Sequence, residues 1–462
     1  MSYQLDKNVA DKLKDFFSKF DFIDKVVIFG SRAKHNANPK SDIDLCIYSL
    51  EMDKKEFTKL KLKLDELPIL YKMDVVHFEN SNDELKENIL RDGKLFFVKE
   101  LPFNEFFKNT SPKPYQIEKK DYLESGKYPV VDQGKKFIVG YSNQEEKLFK
   151  LNNSIIIFGD HTRIIKYVDF DFIIGADGTK ILFPYDDSID AKYAYYQLLY
   201  TKIENLGYSR HYKLLKEKSF QKPSLTKQKQ IAKTLNKAKE LIELRKESIN
   251  KLDELSKSIF IDMFGDPVNN PKKLKKQKLS KIAKIQTGNT PPRKDLDNYG
   301  NYIEWIKSDN ILKEKYNMSE AKEYLSKKGY SKGRIVPVNS LLVTCIAGSM
   351  SSIGNVNIVN REVAFNQQIN SITPFTDNIY YLYYAVKLSK KYIEENSSKS
   401  MKIMINKTKF ENLEFIIPDI KLQEKFASII QKAEQQKSLY QEELTKLQES
   451  FDALLTQSFK AQ

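Results

Sequence analysis

The segment FQKPSLTKQKQIAKTL (220–235) returns later in the chain as FIIPDIKLQEKFASII (415–430). Aligned, Pro223 falls on Pro418, Leu225 on Ile420, Gln228 on Gln423 and Ala232 on Ala427. Beyond each copy the apolar pattern continues at heptad spacing. Ile231, Leu235, Ala238, Ile242, Arg245, Ile249, Leu252, Ser256 and Ile259 form one seam, and Phe426, Ile430, Ala433, Lys437, Tyr440, Leu444, Leu447, Phe451 and Leu454 form the other. A seam sustained this long predicts two long helices that pair as a coiled coil. A repeat of this length, each copy ending in such a helix, marks a duplicated module with pseudo-twofold symmetry. Two unrelated amphipathic helices would share neither the proline, nor the glutamine, nor the register.

The chain has 462 residues, 40% of them hydrophobic and 30% charged. That length suits about three domains of ordinary size, with apolar content enough for real cores. No stretch approaches a membrane span and no signal peptide opens the sequence, so the expectation is a soluble, cytoplasmic protein with no membrane partner. Cys46 and Cys345 both lie in apolar runs and read as buried free thiols. The net charge of +15 is unevenly placed, because residues 1–100 carry 18 basic and 19 acidic side chains. All of the positive excess therefore belongs to the duplicated part, where it implies a polyanionic partner. A merely lysine-rich composition would not leave the first 100 residues neutral.

Within those 100 residues, the pattern gives a helix over 8–20 and strands at Val26–Phe29, Ile43–Tyr48 and Met73–Phe78. Helices at 53–66 and 82–91 and the run Leu95–Val98 complete a compact α/β unit. The run VVIFGSRAKHNANPKSDIDLCIY (26–48) contains Gly-Ser, ten residues, then Asp-x-Asp. Asp42 and Asp44, two apart along a strand, project from one face and can share a divalent metal. Gly30 and Ser31 follow a strand and can offer a backbone N–H and a hydroxyl to a triphosphate. Asp74, in MDVVHF, joins the same site if its strand neighbours the other. Two magnesium ions so held would activate an attacking oxygen and neutralise a departing pyrophosphate. This section resembles the minimal nucleotidyltransferases of the polymerase-β type, including antitoxins that adenylylate a partner toxin. The resemblance implies phosphate binding by Gly30 and Ser31, with Arg32 as a further phosphate contact. It also implies a catalytic and metal-binding set of Asp42, Asp44 and Asp74, with Mg2+ and ATP as cofactors. A retained fold that only binds nucleotide or partner is the alternative.

The rest of the chain reads as module, helix, module, helix. The boundaries are 101–222, 223–264, 272–417 and 418–460, with Gly265, Pro267 and Pro271 breaking the first helix. Each module carries a turn-rich stretch after a strong strand, IIIFGDHTR (155–163) and LLVTCIAGSMSSIG (341–354). Each then has a polar knot ahead of more strand, GADGTK (175–180) and AFNQQI (364–369). GYSRHYK (207–213) gathers basic side chains between tyrosines. Asn and Gln amides can read adenine edges, and Arg or Lys can read guanine or hold phosphates. The candidate DNA contacts are His161, Arg163, Lys180, Arg210, His211, Tyr212 and Lys213 in the first module and Asn366, Gln367 and Gln368 in the second. The run Lys272–Lys281 is a further candidate phosphate contact. Charged helix faces (Lys239, Glu240, Glu243, Lys246, Glu247, Glu434, Glu442, Glu443) could dock partner helices.

Residues 101–462 resemble the specificity (S) subunits of Type I restriction-modification systems. The resemblance is carried by PSLTKQKQIAKTL, PDIKLQEKFASII, YPVVDQG (128–134), IIIFGDHTRIIKYVDFDFIIGADGTK (155–180), GYSRHYKLLKE (207–217) and NQQI (366–369). It implies two target-recognition domains that each read half of a bipartite site in double-stranded DNA. It also implies an antiparallel pair of helices acting as a ruler, and partnership with two methyltransferase (M) subunits and with restriction (R) subunits. About 36 helical residues would span ~54 Å, enough to hold two readers more than one DNA turn apart. The fold class expected is α+β multidomain: an α/β nucleotidyltransferase domain, then two mixed α/β recognition domains separated by two long helices. The sequence contains no G-x-G-x-x-G strand-turn, N-P-P-Y, Walker A motif or recognisable nuclease cluster, so methylation and cleavage fall to other chains. The competing reading makes the transferase primary and the repeats its targeting device.

Overall fold

The computed structural model describes residues 3–110, 112–175, 177–207, 209–313, 315–398 and 403–460. Two compact units emerge, one of residues 1–242 with 446–462 and the other of residues 243–445. Among the described residues no helix is long and apolar enough to cross a membrane.

The first unit opens with a four-stranded sheet in the order Met73–His77, Ile43–Tyr48, Lys25–Ile28, Lys94–Phe97. The first two strands run parallel and the other neighbours antiparallel. Helices Lys7–Ser18, Lys54–Asp65 and Asp83–Asp92 accompany the sheet, each entered through an acidic or amide N-cap: Asp6, Asp53 and Asn82. Each cap oxygen accepts an otherwise orphaned backbone N–H, and Asp53 with Glu56 closes a reciprocal capping box. This small domain is seated on the start of the first long helix. The buried carboxylate of Asp24 accepts the backbone N–H of Ser224 at 3.0 Å and its hydroxyl at 2.5 Å. Around that contact, Lys99 and Lys222 converge on Asp21, and Glu51 accepts the N–H of Thr226.

Each duplicated module is built from two four-stranded sheets. In the first, one sheet runs Ile165–Val168, Ile155–Gly159, Thr179–Pro184, Phe107–Thr110, and the other runs Gly140–Ser142, Tyr128–Val131, Phe172–Ile174, Leu148–Phe149. The second module repeats the plan. One sheet holds Ala283–Thr287, Ile369–Pro374, Leu341–Thr344 and Val356–Ile358. The other holds Tyr324–Leu325, Tyr299–Ile306, Val363–Phe365 and Ile335–Val336. A parallel strand pairing recurs too, Ile173 beside Val130 and Trp305 beside Ala364.

Behind each module lies a tyrosine-rich helix, Ala191–Tyr200 or Ile379–Leu388, whose Tyr193, Tyr196, Tyr381, Tyr383 and Tyr384 are fully buried. The repeated glutamine fastens that helix. Gln228 accepts the N–H of Asp190 at 2.8 Å and donates to the carbonyls of Ser188 and Pro223. Gln423 accepts the N–H of Asn378 at 2.9 Å and donates to Pro418 and Asp377. The tyrosine hydroxyls follow suit, Tyr193 donating to the Gln221 carbonyl and Tyr381 to that of Ile416. The duplication is therefore one of hydrogen bonds as well as sequence.

The long helices run Leu225–Phe264 and Ile420–Phe459. Within the first unit, Ile231 and Leu235 near the start of one pack with Phe451, Leu454 and Phe459 near the end of the other. Within the second unit, Phe260 and Phe264 near the end of one pack with Phe426 and Ile430 near the start of the other. In both units the pairing is antiparallel. The seam buries Leu235, Ile242, Ser256, Phe426, Ile430 and Lys437. Lys437 lies there against Asp253 at 2.5 Å, and Arg245 stacks on Tyr440 while pairing with Glu443. Not every charged face is free for a partner, since Lys239 binds the Tyr195 hydroxyl and Glu434 accepts from Tyr384. The lysine run after Gly265 also has internal duties: Lys272 donates to the carbonyls of Asp262 and Met263, which lack helical partners. Cys46 and Cys345 are buried free thiols, each pushed up to about 12 by loss of water.

Candidate functional site

In the N-terminal domain, parallel pairing sets Asp44 directly beside Asp74. Asp42 lies two residues back from Asp44, so the three carboxylates gather at one end of the sheet. Gly30 faces them with φ +68°, a left-handed conformation that side chains resist, and a Cβ there would overlap the carboxylate of Asp44. Burial first, then the negative charges of Asp74 and Asp42, raise the Asp44 carboxyl above its ordinary value. Mutual repulsion of this kind is relieved by a cation. The Lys72 ammonium supplies part of that charge, 3.5 Å from Asp42 and 3.7 Å from Asp74. Among the described residues no three carboxylates converge tightly enough to form a ready-made ion cage. The donor chemistry nevertheless fits a hard divalent ion, with all-oxygen ligands and excess negative charge. Ser31 is half-buried beside the turn.

Arg32 departs from the sequence expectation. It is buried, and its guanidinium donates to the carbonyls of Gln4, Ser41 and Asp42 while stacking on Tyr71. With its donors so engaged it props the loop entering Asp42 and does not face a phosphate.

The candidate DNA contacts of the first module gather round Asp160, a residue the sequence reading passed over. Asp160 is buried. Its N–H donates to the Gly178 carbonyl at 2.7 Å, its carbonyl accepts the N–H and Nδ1 of His211, and its carboxylate accepts the N–H of Tyr212 and pairs with Lys180 at 3.7 Å. Gln133 ties the same loops, accepting the N–H of His161 and donating to the Asp177 carbonyl. His211 and Tyr212 are thus buried supports and not base readers, because the His211 Nε2 also accepts the Leu206 N–H. Half-buried Arg163 donates to the Ile203 carbonyl. Arg210 and Lys213 remain exposed. Tyr208 and Ala176, in the quoted GYSRHYK and GADGTK, lie outside the described residues. In the second module, Asn366 is buried and donates to the side chain of Gln368, whose own carbonyl accepts the N–H groups of Cys345 and Ile346. That pair is a structural knot, and Gln367 is the exposed member, bonded to Thr290. The signal that was available for Asp160 is an acid placed immediately after a fully apolar strand.

Two family models match the chain. Residues 11–100 match the polymerase beta nucleotidyltransferase family, and residues 100–254 and 271–449 match the Type I restriction modification DNA specificity domain. The specificity subunit of the Type I restriction enzyme EcoR124I/EcoR124II from Escherichia coli is 24% identical over 355 residues, covering 72% of this chain and 86% of its own. The HindI specificity subunit from Haemophilus influenzae is 28% identical over 164 residues, 33% of this chain and 35% of its own. The crystal structure of a Type I restriction-modification S subunit from M. genitalium superposes with a TM-score of 0.49 at 17% identity, covering 79% of this chain and 96% of that one. With the specificity model spanning both modules and most of each long helix, the chain belongs to the Type I restriction-modification specificity subunits and carries a nucleotidyltransferase-like domain at its N-terminal end.

Proposed function

We propose that the two modules each read one half of a bipartite site in double-stranded DNA, and that the chain recruits two M subunits and the R subunits to that site in the cytoplasm. The observation that carries this reading is the duplication itself. The same eight strands, tyrosine helix and buried glutamine recur in both modules, each beside its own long helix. Two equivalent readers on one support match a target with two halves, and the basic excess of the duplicated part provides the phosphate attraction. Arg210, Lys213 and Gln367, exposed beside the loop clusters, are the side chains offered to DNA. The test mixes the purified chain with M subunits and maps methylated bases on plasmid DNA. Methylation at one bipartite sequence is expected, and methylation that ignores sequence would refute the reading.

A second activity is favoured by the register of Asp44 beside Asp74 opposite Gly30. The N-terminal domain transfers AMP from ATP to a hydroxyl of a protein partner or of the chain itself, releasing pyrophosphate. Asp42, Asp44 and Asp74 would hold Mg2+, which when bound neutralises the phosphates and the leaving pyrophosphate. Gly30 leaves room for the triphosphate to approach the backbone, Ser31 offers a hydroxyl, and Arg32 keeps Asp42 in place from behind. With labelled ATP, transfer is expected for the wild-type chain and a loss of at least about a hundredfold for Asp42→Asn/Asp44→Asn. Undiminished labelling by the double variant would place the chemistry elsewhere.

A further inference from the structure

The first module contains a pocket of about 350 Å³ between the strand Ile165–Val168, the tyrosine helix and the first long helix. Four lysines line it: Lys135 on a loop, Lys166 on the strand, Lys192 on the tyrosine helix and Lys239 on the long helix. Lys239 donates to the Tyr195 hydroxyl at 2.7 Å, and Lys192 lies 3.3 Å from the ring centroid of Tyr167. Buried Lys166 donates to the carbonyls of Asp132 and Lys136, fixing the loop that carries Lys135. Asp169 is the one carboxylate in the lining. Burial lowers the Lys192 ammonium from its ordinary value, Asp169 opposes that shift, and the nearby charge of Lys239 adds to it. The pocket thus holds more positive charge than its own walls neutralise.

The duplication supplies an internal control. The shared hydrogen bonds of Gln228 with Gln423, and of Tyr193 with Tyr381, set Lys192 against Tyr380, Tyr195 against Tyr383 and Lys239 against Glu434. In the second module the corresponding space is filled by Tyr316. Its ring packs 4.6 Å from Tyr383 and 5.8 Å from Tyr380, and Glu434 accepts the Tyr384 hydroxyl. One module is packed and carries an acid where the other is open and carries lysines. The cavity is therefore not a by-product of the shared architecture.

We propose that the pocket bounded by Lys135, Lys192 and Lys239 binds a phosphate group. Clustered ammonium groups without a guanidinium fork suit a compact tetrahedral polyanion better than a planar carboxylate. The concave shape and volume admit a small phosphate compound, and a DNA phosphodiester offers the same chemistry. The full-length chain is titrated with inorganic pyrophosphate by calorimetry at low ionic strength in EDTA, which silences divalent-dependent binding at the N-terminal domain. The comparison variants are Lys192→Met/Lys239→Met, which keep the apolar stems, and Lys239→Glu, which copies the arrangement of the second module. Melting temperature checks their folding, and Asp42→Asn/Asp44→Asn serves as the control for the other phosphate site. Saturable binding is expected for the wild type and the control, with at least a tenfold loss in both lysine variants. In a parallel arm, each protein is titrated with short duplex DNA at several salt concentrations. Pyrophosphate binding with unchanged DNA affinity assigns the pocket to a free phosphate compound. Weaker DNA binding with a shallower salt slope in the folded lysine variants assigns it to the DNA backbone. Wild-type binding that both lysine variants retain, or an absence of effect in both arms, overturns the proposal.

Discussion

Asp24 shows how one side chain joins two parts of the chain. It is buried at the foot of the N-terminal sheet, and its oxygens take the N–H and hydroxyl of Ser224 and the N–H of Leu50. Burial outweighs those hydrogen bonds and raises its carboxyl above 3.8. For an acid so raised, the folded protein takes up the proton more readily than the unfolded chain. Its stabilising contribution is thus complete below pH 3.8 and is lost as pH rises through the higher folded value. Asp24→Asn cannot ionise, yet its amide oxygen still accepts from Ser224. The stability difference between variant and wild type should shift in favour of the variant as pH is raised from about 4 to 7. Denaturant titrations at several pH values measure it, and a difference that stays flat would mean the buried carboxylate is not titrating. Residues of this scale divided sharply in how far the sequence disclosed them. Strand alternation offered Asp42, Asp44 and Asp74 as a candidate group, and the parallel register places Asp44 beside Asp74. Arg32, His211 and Asn366 were read as ligand contacts, whereas the fold engages their polar groups with backbone or side-chain partners distant in sequence or across a turn. Composition records that a side chain can bond, and tertiary structure decides to what.

At the scale of elements, the repeated Gln228 and Gln423 are the joints between a long helix and a tyrosine helix. Each is buried, and each satisfies backbone groups at the start of the tyrosine helix. Truncation to alanine removes these bonds and leaves buried groups unpaired, a loss of about 2–3 kcal/mol in the unit concerned. The lone tryptophan, Trp305, is buried in the second module and so reports on that unit. Gln423→Ala should lower the denaturant midpoint seen by its fluorescence, and Gln228→Ala should move that midpoint much less. Equal shifts would mean that the units unfold as one. The long helices were plain in the sequence because a heptad seam repeats over many turns, and the N-terminal strands because short β-branched and aromatic runs mark them. The paired sheets of the modules were not. Their strands are two to eight residues long, and their order, with a parallel strand pairing in each, depends on contacts across the whole module. Only the loop pairs, 160–164 with 175–178 and 345–355 with 366–368, could be anticipated, because their flanking strands recur in both copies.

At the scale of the whole molecule, duplication makes a demand that separate domains would not. If each module reads its own half-site, exchanging residues 279–417 for the equivalent module of another specificity subunit should change one half of the methylated sequence and leave the other. The helix pair should set only the gap. Each helix is 40 residues long, so a heptad inserted into both partners adds about 10 Å along the pair, close to three base-pair steps. The insertions belong after Ile249 and after Lys437, beside the pairing of Lys437 with Asp253, so that both helices lengthen at the same level of the seam. Adding a whole heptad keeps the apolar seam in register, so the pairing survives. Sequencing of methylated bases, with M subunits present, should then find both original half-sites at a longer spacing. Asp42→Asn/Asp44→Asn, introduced alongside, should leave that pattern untouched, because the near-neutral N-terminal domain contributes little to the attraction for DNA. A module exchange that altered both half-sites, or a heptad insertion that altered a half-site sequence, would show that the two copies do not read independently and that the duplication serves something other than a bipartite target.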